Sequence, residues 1–287
     1  MPDPRSVRTV LDDLRAESDA LDGLVAGLDP ARWALPTPAE GWTVAHQIGH
    51  LAWTDRRALL AVEDPDGFAR GLGDALARLD AYVDDGARAS AGLAPAALLE
   101  NWRTGRSRLW AVLTGLPPGV RFPWYGPPMS TASMATGRLM ETWAHGEDIA
   151  DTLGVRRAPT ARLRHVARIG IRARDFAFGL HGRPAPAEEF RVELTAPDGS
   201  LWTYGPPDAR QRVYGPALDF CLLAVQRRHR DDLALRAEGQ DADAWLSIAQ
   251  AFAGPPGKGR APSPVPGPSA SPGRRDSGPS AGRSSRG

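Results

Sequence analysis

Apolar residues recur at helical spacing through roughly the first half of the chain and then give way to a shorter, alternating pattern. Val7, Val10, Leu11, Leu14, Leu21, Leu24, Val25 and Leu28 line one face of a helix over residues 5–28, and Asp29-Pro30 stops it. Thr43 is a suitable N-cap for a second helix running to about Val62. Part of 67–83 reads as a third, weakened by Gly71 and Gly73. PAALLENWRTGRSRLWAVLTGL, residues 95–116, is a fourth, ended by Pro117-Pro118. RFPWYGPPMS, residues 121–130, reads as an irregular loop with aromatics flanked by prolines. Thr131 to about Leu153, closed by Gly154, is a further long helix. Four substantial helices plus a shorter one is the pattern of a helix bundle.

After another helix, roughly 160–180, the texture changes. EEFRVELTA, residues 188–196, alternates apolar and polar, Pro197-Asp198-Gly199 is a turn, and SLWTYG is the returning strand. Pro216 to about Arg228 reads as an apolar helix, ALRAEG as a further strand, and Asp241 to Phe252 as an amphipathic helix. The expected organisation is therefore α+β: a helix bundle over 1–158, a small α+β domain over 159–254, and a tail over 255–287. The tail is almost entirely Pro, Gly, Ser, Ala and Arg, a composition that points to disorder.

Composition narrows the function classes. The 287 residues carry a formal charge of +1, which gives no global field for nucleic acid or an acidic membrane. Arg164, Arg168 and Arg172 share a helix face and could bind phosphate, but a charged outer face over a buried inner one explains them equally. Cys221 is the single cysteine, so an intramolecular disulfide and a cysteine metal site are both excluded. It sits in the apolar run DFCLLAV and reads as a small core residue. The N-terminus lacks the apolar stretch of a signal peptide, and no window has the length of a membrane span. A cytoplasmic protein that is a monomer or homodimer is expected.

Two short segments carry candidate chemistry. In GWTVAHQIGHLAWTD, residues 41–55, His46 and His50 stand four apart and share a helix face. In ETWAHGEDIA, residues 141–150, Glu141 and His145 do the same. A catalytic zinc takes three N/O ligands and keeps a fourth position open, a count that His50, Glu141 and His145 would satisfy. An ordinary polar helix face is the competing explanation. Asp148, one turn beyond His145, and Asp55, beyond His50, could orient the two imidazoles.

The order G-W-T-V-x4-G-H-L, followed about ninety residues later by E-x3-H-G-x-D, resembles the mycothiol-dependent maleylpyruvate isomerase family. That resemblance implies a DinB-like four-helix bundle followed by a small sterol-carrier-like α+β domain. It implies metal ligands at His50, Glu141 and His145, with zinc as the expected metal and nickel, iron or manganese open. The family usually has an acid or another polar residue at the position of His46, which leaves His46 as an additional or competing ligand. GPALDFCLLAVQRRHRDDL and AEGQDADAWLSIAQAFAGPPGKGR are similar to the C-terminal block of an actinobacterial subgroup and to a domain labelled for wyosine base formation. One cysteine cannot hold the iron–sulfur cluster that such chemistry needs. Together these segments cover roughly residues 5–258.

The activity implied is that of an isomerase or thiol transferase acting on a small electrophile. Mycothiol is the thiol cosubstrate, and a metal-bound thiol is the nucleophile. In the isomerase reaction the thiol adds to a conjugated double bond, the bond rotates, and the thiol leaves. The family places an important arginine at the end of the penultimate helix, which falls on Arg227, with Arg228 beside it. A cation at a helix C-terminus explains both equally. Trp124 and Tyr125 could line the mouth of a thiol-binding site or simply cover the loop. A hydrolase with a metal-bound water, and a non-enzymatic metal- or small-ligand-binding protein, are the alternatives. Neither nucleic acid nor a membrane is an expected partner.

Overall fold

The structure, a computed structural model, describes residues 4–263. The expected disordered tail therefore falls mostly outside the described residues, but its start, 255–263, is placed and makes specific contacts.

Helices α1 (Pro4–Val25), α2 (Val44–Glu63), α6 (Pro95–Gly115) and α7 (Thr131–Leu153) form the bundle. Helix α1 packs on α7, and α2 packs on both α6 and α7. Local chemistry fixes the ends of the two helices that matter most. Ser130 caps α7 by accepting from the Ser133 N–H, and Gly154 closes it with φ +67°, a left-handed conformation that glycine adopts without strain. Thr43 caps α2 in a capping box whose third-position partner is His46.

The expected third helix over part of 67–83 is instead three: α3 (Pro65–Arg70), α4 (Leu72–Ala77) and α5 (Leu79–Ala91). The first break falls at Gly71, and α5 continues eight residues past the expected end because it gains a tertiary partner. It lies so close to α2 that a Cβ on Gly49 would stand 2.7 Å from the Ala87 carbonyl oxygen, and one on Gly86 would stand 2.4 Å from the Trp53 ring. The loop over 121–130 contains a two-residue ladder, β1 (Arg121–Phe122) antiparallel to β2 (Met129–Ser130), which period-two patterning is too short to reveal.

The chain then runs through α8 (Leu163–Arg172) and α9 (Arg174–Leu180), split at Ala173 where one helix was expected. The sheet follows, built from β3 (Phe190–Thr195), β4 (Leu201–Tyr204), β5 (Gln211–Pro216) and β6 (Arg236–Glu238) in the order β4-β3-β5-β6. Strand β3 is antiparallel to β4 and parallel to β5, while β5 is antiparallel to β6. Strand β5 escapes the hydrophobic pattern because Val213 is its only fully buried side chain. Two short helices, α10 (Ala217–Ala224) and α11 (Gln240–Leu246), complete this domain, and both end earlier than their apolar runs. No helix among the described residues is long and apolar enough to cross a membrane.

The bundle and the sheet domain share a core. Leu11, Leu109, Met134 and Trp143 of the bundle belong to the same buried cluster as Val166, Phe220 and Trp245 beyond it. The junction is also pinned by charge. Glu17, buried on α1, accepts from Arg157 and from Arg162 Nε at 2.7 Å, and Arg157 Nη1 also reaches Glu147 at 3.0 Å. Burial pushes the Glu147 carboxyl up, against the pull of Arg157. Removing one partner of a buried ion group leaves the others uncompensated. Glu17→Ala is thus expected to destabilise the protein by about 3–5 kcal/mol, the range for a broken buried pair, read as a lower urea midpoint. A change within experimental error would show that solvent already screens the group.

Candidate metal centre

Helices α2 and α7 cross so that His50 on one and Glu141 and His145 on the other meet inside the bundle. Glu141 Oε2 lies 3.1 Å from His50 Nε2 and 3.2 Å from His145 Nε2, and one donor atom from each residue lies within 4.8 Å of the other two. The two imidazole centroids are 4.6 Å apart. Both histidines are buried, while the Glu141 side chain keeps 23% of its exposure, so the cluster has one side towards solvent. A group of this kind could hold a divalent cation.

The protonation of the cluster is unusual. The His145 Nδ1–H donates to Gln47 Oε1. Burial and electrostatic repulsion from the neighbouring His50 hold the His145 pKa down at about 4, against the pull of Glu141; Arg227 adds to the downward shift. His145 is thus neutral at pH 7, its proton is on Nδ1, and the Nε2 lone pair faces a carboxylate oxygen. Burial alone would raise the Glu141 pKa, but the influence of the neighbouring His145 and His50 outweighs it and takes it well below the usual carboxylate range. His50 Nδ1 is buried with no hydrogen-bond partner among the described residues.

The orienting groups differ from those expected. Gln47, one turn before His50, fixes His145; neither aspartate does. Asp148 instead receives Arg227 and Arg260, and Asp55 receives Arg138 Nε at 2.9 Å. Burial pushes the Asp55 carboxyl up, with Arg138 opposing it. His46 stands outside the cluster: its Nδ1 is 2.8 Å from Thr43 Oγ1 and accepts from the Thr43 backbone N–H, so it serves the start of α2. Cys221 is fully buried and its thiol pKa is pushed well up by desolvation, as suits a core residue.

Arg227 does reach the neighbourhood, bound through Nε (3.0 Å) and Nη2 (2.8 Å) to Asp148. Trp124 does not. It stacks on Phe68 at 5.7 Å and, among the described residues, is joined to His50 through successive ring contacts with Tyr125, Tyr82 and Trp53. The aromatic residue against the cluster is Trp42, 5.3 Å from His50 and stacked on His145 at 5.9 Å, with its Nε1–H donating to Asp84 at 3.0 Å. Gln47, Trp42 and Trp53 were overlooked in the sequence although all lie within the first motif; their only signal is that proximity.

Fold and site together define a helix-bundle protein with a candidate three-donor metal centre, joined to a small mixed-sheet domain. Residues 14–150 match the family model described as mycothiol maleylpyruvate isomerase N-terminal domain, and residues 186–238 match one described as wyosine base formation. Two proteins of Mycobacterium tuberculosis, from strains CDC 1551 / Oshkosh and ATCC 25618 / H37Rv and both described as uncharacterized, are 58% identical to this chain over 248 residues, 86% of this chain and 96% of theirs. The crystal structure of the mycothiol-dependent maleylpyruvate isomerase aligns over 79% of this chain and 92% of its own at 16% identity, with a TM-score of 0.53. A histidine-to-alanine mutant of that enzyme aligns with the same score at 17% identity. The chain belongs to the mycothiol-dependent maleylpyruvate isomerase family.

The depressed His145 pKa carries a sign. Between about 4 and the ordinary 6.5, the unfolded chain holds a proton that the folded one does not, so stability rises with pH across that window. In metal-free protein the His145 ring signal in proton NMR is expected to titrate near pH 4, and stability is expected to fall as pH drops from about 6.5 to about 4. A midpoint near 6.5 would show that burial and His50 do not depress the His145 pKa.

Proposed function

We propose that this protein is a metal-dependent, mycothiol-using isomerase or thiol transferase acting on a small electrophile, with His50, Glu141 and His145 as ligands of a divalent cation, zinc foremost. The observation that carries this reading is the lone pair of His145 Nε2 set 3.2 Å from a Glu141 oxygen, with the only ring proton committed to Gln47. Two lone pairs facing each other in a buried site repel, and a cation between them turns the repulsion into ligation. The donor set of two imidazoles and one carboxylate fits zinc and leaves room for a further ligand. Family membership supports the same reading.

When bound, the cation supplies positive charge that stabilises a small thiol as its thiolate, the nucleophilic form. The chain's own residues do the rest. Gln47 holds His145 in the tautomer that offers Nε2, the usual role of a group behind a ligating histidine. Trp42 covers the two rings and keeps water from that side. Arg227 brings a positive charge close enough to act on His145 and can meet a polar or anionic part of the cosubstrate or substrate.

Elemental analysis is the direct test. Wild type is expected to carry near-stoichiometric divalent metal, with loss in His50→Ala, Glu141→Ala and His145→Ala while circular dichroism is retained. Gln47→Ala should keep the ligands but weaken metal affinity by about 10–100-fold, as for other groups that orient a ligand. Mycothiol added to cobalt-loaded protein should produce a thiolate-to-metal charge-transfer band. Hydrolysis of model esters or amides without any thiol would favour a hydrolase, and metal binding with neither response would favour a non-catalytic protein.

A further inference from the structure

Residues 255–263, at the start of the segment whose composition points to disorder, instead lie across the junction of the two domains as a strap. Gln250 holds its beginning. Its Nε2 donates to Phe252 O at 3.2 Å and Pro255 O at 3.1 Å, while its Oε1 accepts from the Gly257 N–H at 2.9 Å and from Gln226 Nε2 at 3.3 Å. Gln226 is the one non-glycine residue with positive φ among those described, at +58°, and it forms the left-handed turn that ends α10. Gly257 passes so close that a Cβ there would lie 2.0 Å from Gln226 Oε1. The turn and the strap are one hydrogen-bonded unit. The turn delivers Arg227 and Arg228 towards α7, and the strap delivers Arg260.

All three guanidinium groups converge on two carboxylates of α7. Asp148, 2% exposed, gives Oδ2 to Arg227 and Oδ1 to Arg260 Nη2 at 2.6 Å. Asp151 receives Arg228 through both Nη atoms at 2.7 and 2.8 Å and also receives Arg260. The other edge of Arg227 is committed as well, with Nη1 donating to Val225 O at 2.8 Å. A carboxylate as buried as Asp148 cannot leave an oxygen bare without a large desolvation cost. With Arg260 on Oδ1, Arg227 is confined to Oδ2. Without Arg260, the bare oxygen would draw Arg227 across both oxygens and shift its guanidinium from its place on Asp148, one turn of α7 beyond His145.

We infer that Arg260 is a positioning residue, brought by the strap, that sets where Arg227 stands relative to the candidate metal centre. This rests on the thiol-using reading above for its functional consequence, but the geometry stands independently of it. Three guanidinium groups against two carboxylates also leave one positive charge in the cluster, available to a polar or anionic group of a bound molecule.

The test uses the full chain with Arg260→Gln, Arg260→Lys and Gly257→Val, the last lifting the strap while leaving all three arginines. The Arg227 Nε–H signal in ¹⁵N-arginine NMR is expected to move, and its exchange with solvent to speed up, in Arg260→Gln and Gly257→Val. In cobalt-loaded protein the dissociation constant of mycothiol is expected to rise by about tenfold, the scale of one displaced charge-assisted hydrogen bond. Cobalt content and the band at saturation should be unchanged, and Arg260→Lys should fall between. An unmoved Arg227 signal with only a lower melting temperature would make the strap a structural latch and overturn the inference. If wild-type cobalt protein ignores mycothiol, the functional reading fails, and the Arg227 signal still decides the positioning role.

Discussion

The structure turns on a carboxylate held between two buried imidazoles. Glu141 can occupy that place only because α2 and α7 approach closely enough for His50 and His145 to reach the same oxygen. Their packing is set by features that have no chemistry of their own. Gly49 and Gly86 let α5 settle against α2, and Trp42, tied to α5 through Asp84, closes over both imidazoles. A side chain at either glycine would force the wall beside the centre to shift.

Around this cluster the buried charges are paired in a way that fixes the two domains against each other. Asp55 with Arg138 sits within the bundle, Glu17 holds the linker through Arg157 and Arg162, and Asp148 and Asp151 collect Arg227 and Arg228 from the second domain and Arg260 from the strap that follows it. Burying ionised groups is costly unless each finds partners, so these sets tolerate only one relative placement of bundle and sheet domain. That placement brings Arg227 onto Asp148, one turn of α7 beyond His145. The second domain therefore contributes charge to the surroundings of a centre whose candidate ligands all lie in the first.

Much of the fold was legible because the bundle helices are long, periodic and clearly terminated. Thr43, Pro117 and Gly154 mark ends by backbone chemistry alone, whereas α1 stops at Val25, short of Asp29-Pro30, which instead opens a 3-10 turn over Pro30–Ala34. The elements that were misread are those decided by distant neighbours. Helix α5 persists because α2 covers it, and β5 is a strand because β3 and β6 flank it, although its own pattern is mixed. The apolar run after Pro216 ends four residues early as a helix because Gln226 turns left-handed with its side chain held by Gln250.

The sequence by itself determined which residues could form the centre. Two histidines four apart and a Glu-x3-His repeat are local facts, since helical geometry places such residues on one face whatever surrounds them. Which histidine joins the cluster, and what orients it, was decided by tertiary structure. His46 and His50 are equivalent in spacing, but His46 lies in the first turn of α2, where it completes the Thr43 cap. Gln47, rather than the nearby aspartates, meets His145 because those aspartates are taken by arginines from far along the chain. Arg260 was hidden for the same reason: composition reports what a segment can bury by itself, whereas its order comes from hydrogen bonds and carboxylates that other parts of the chain supply.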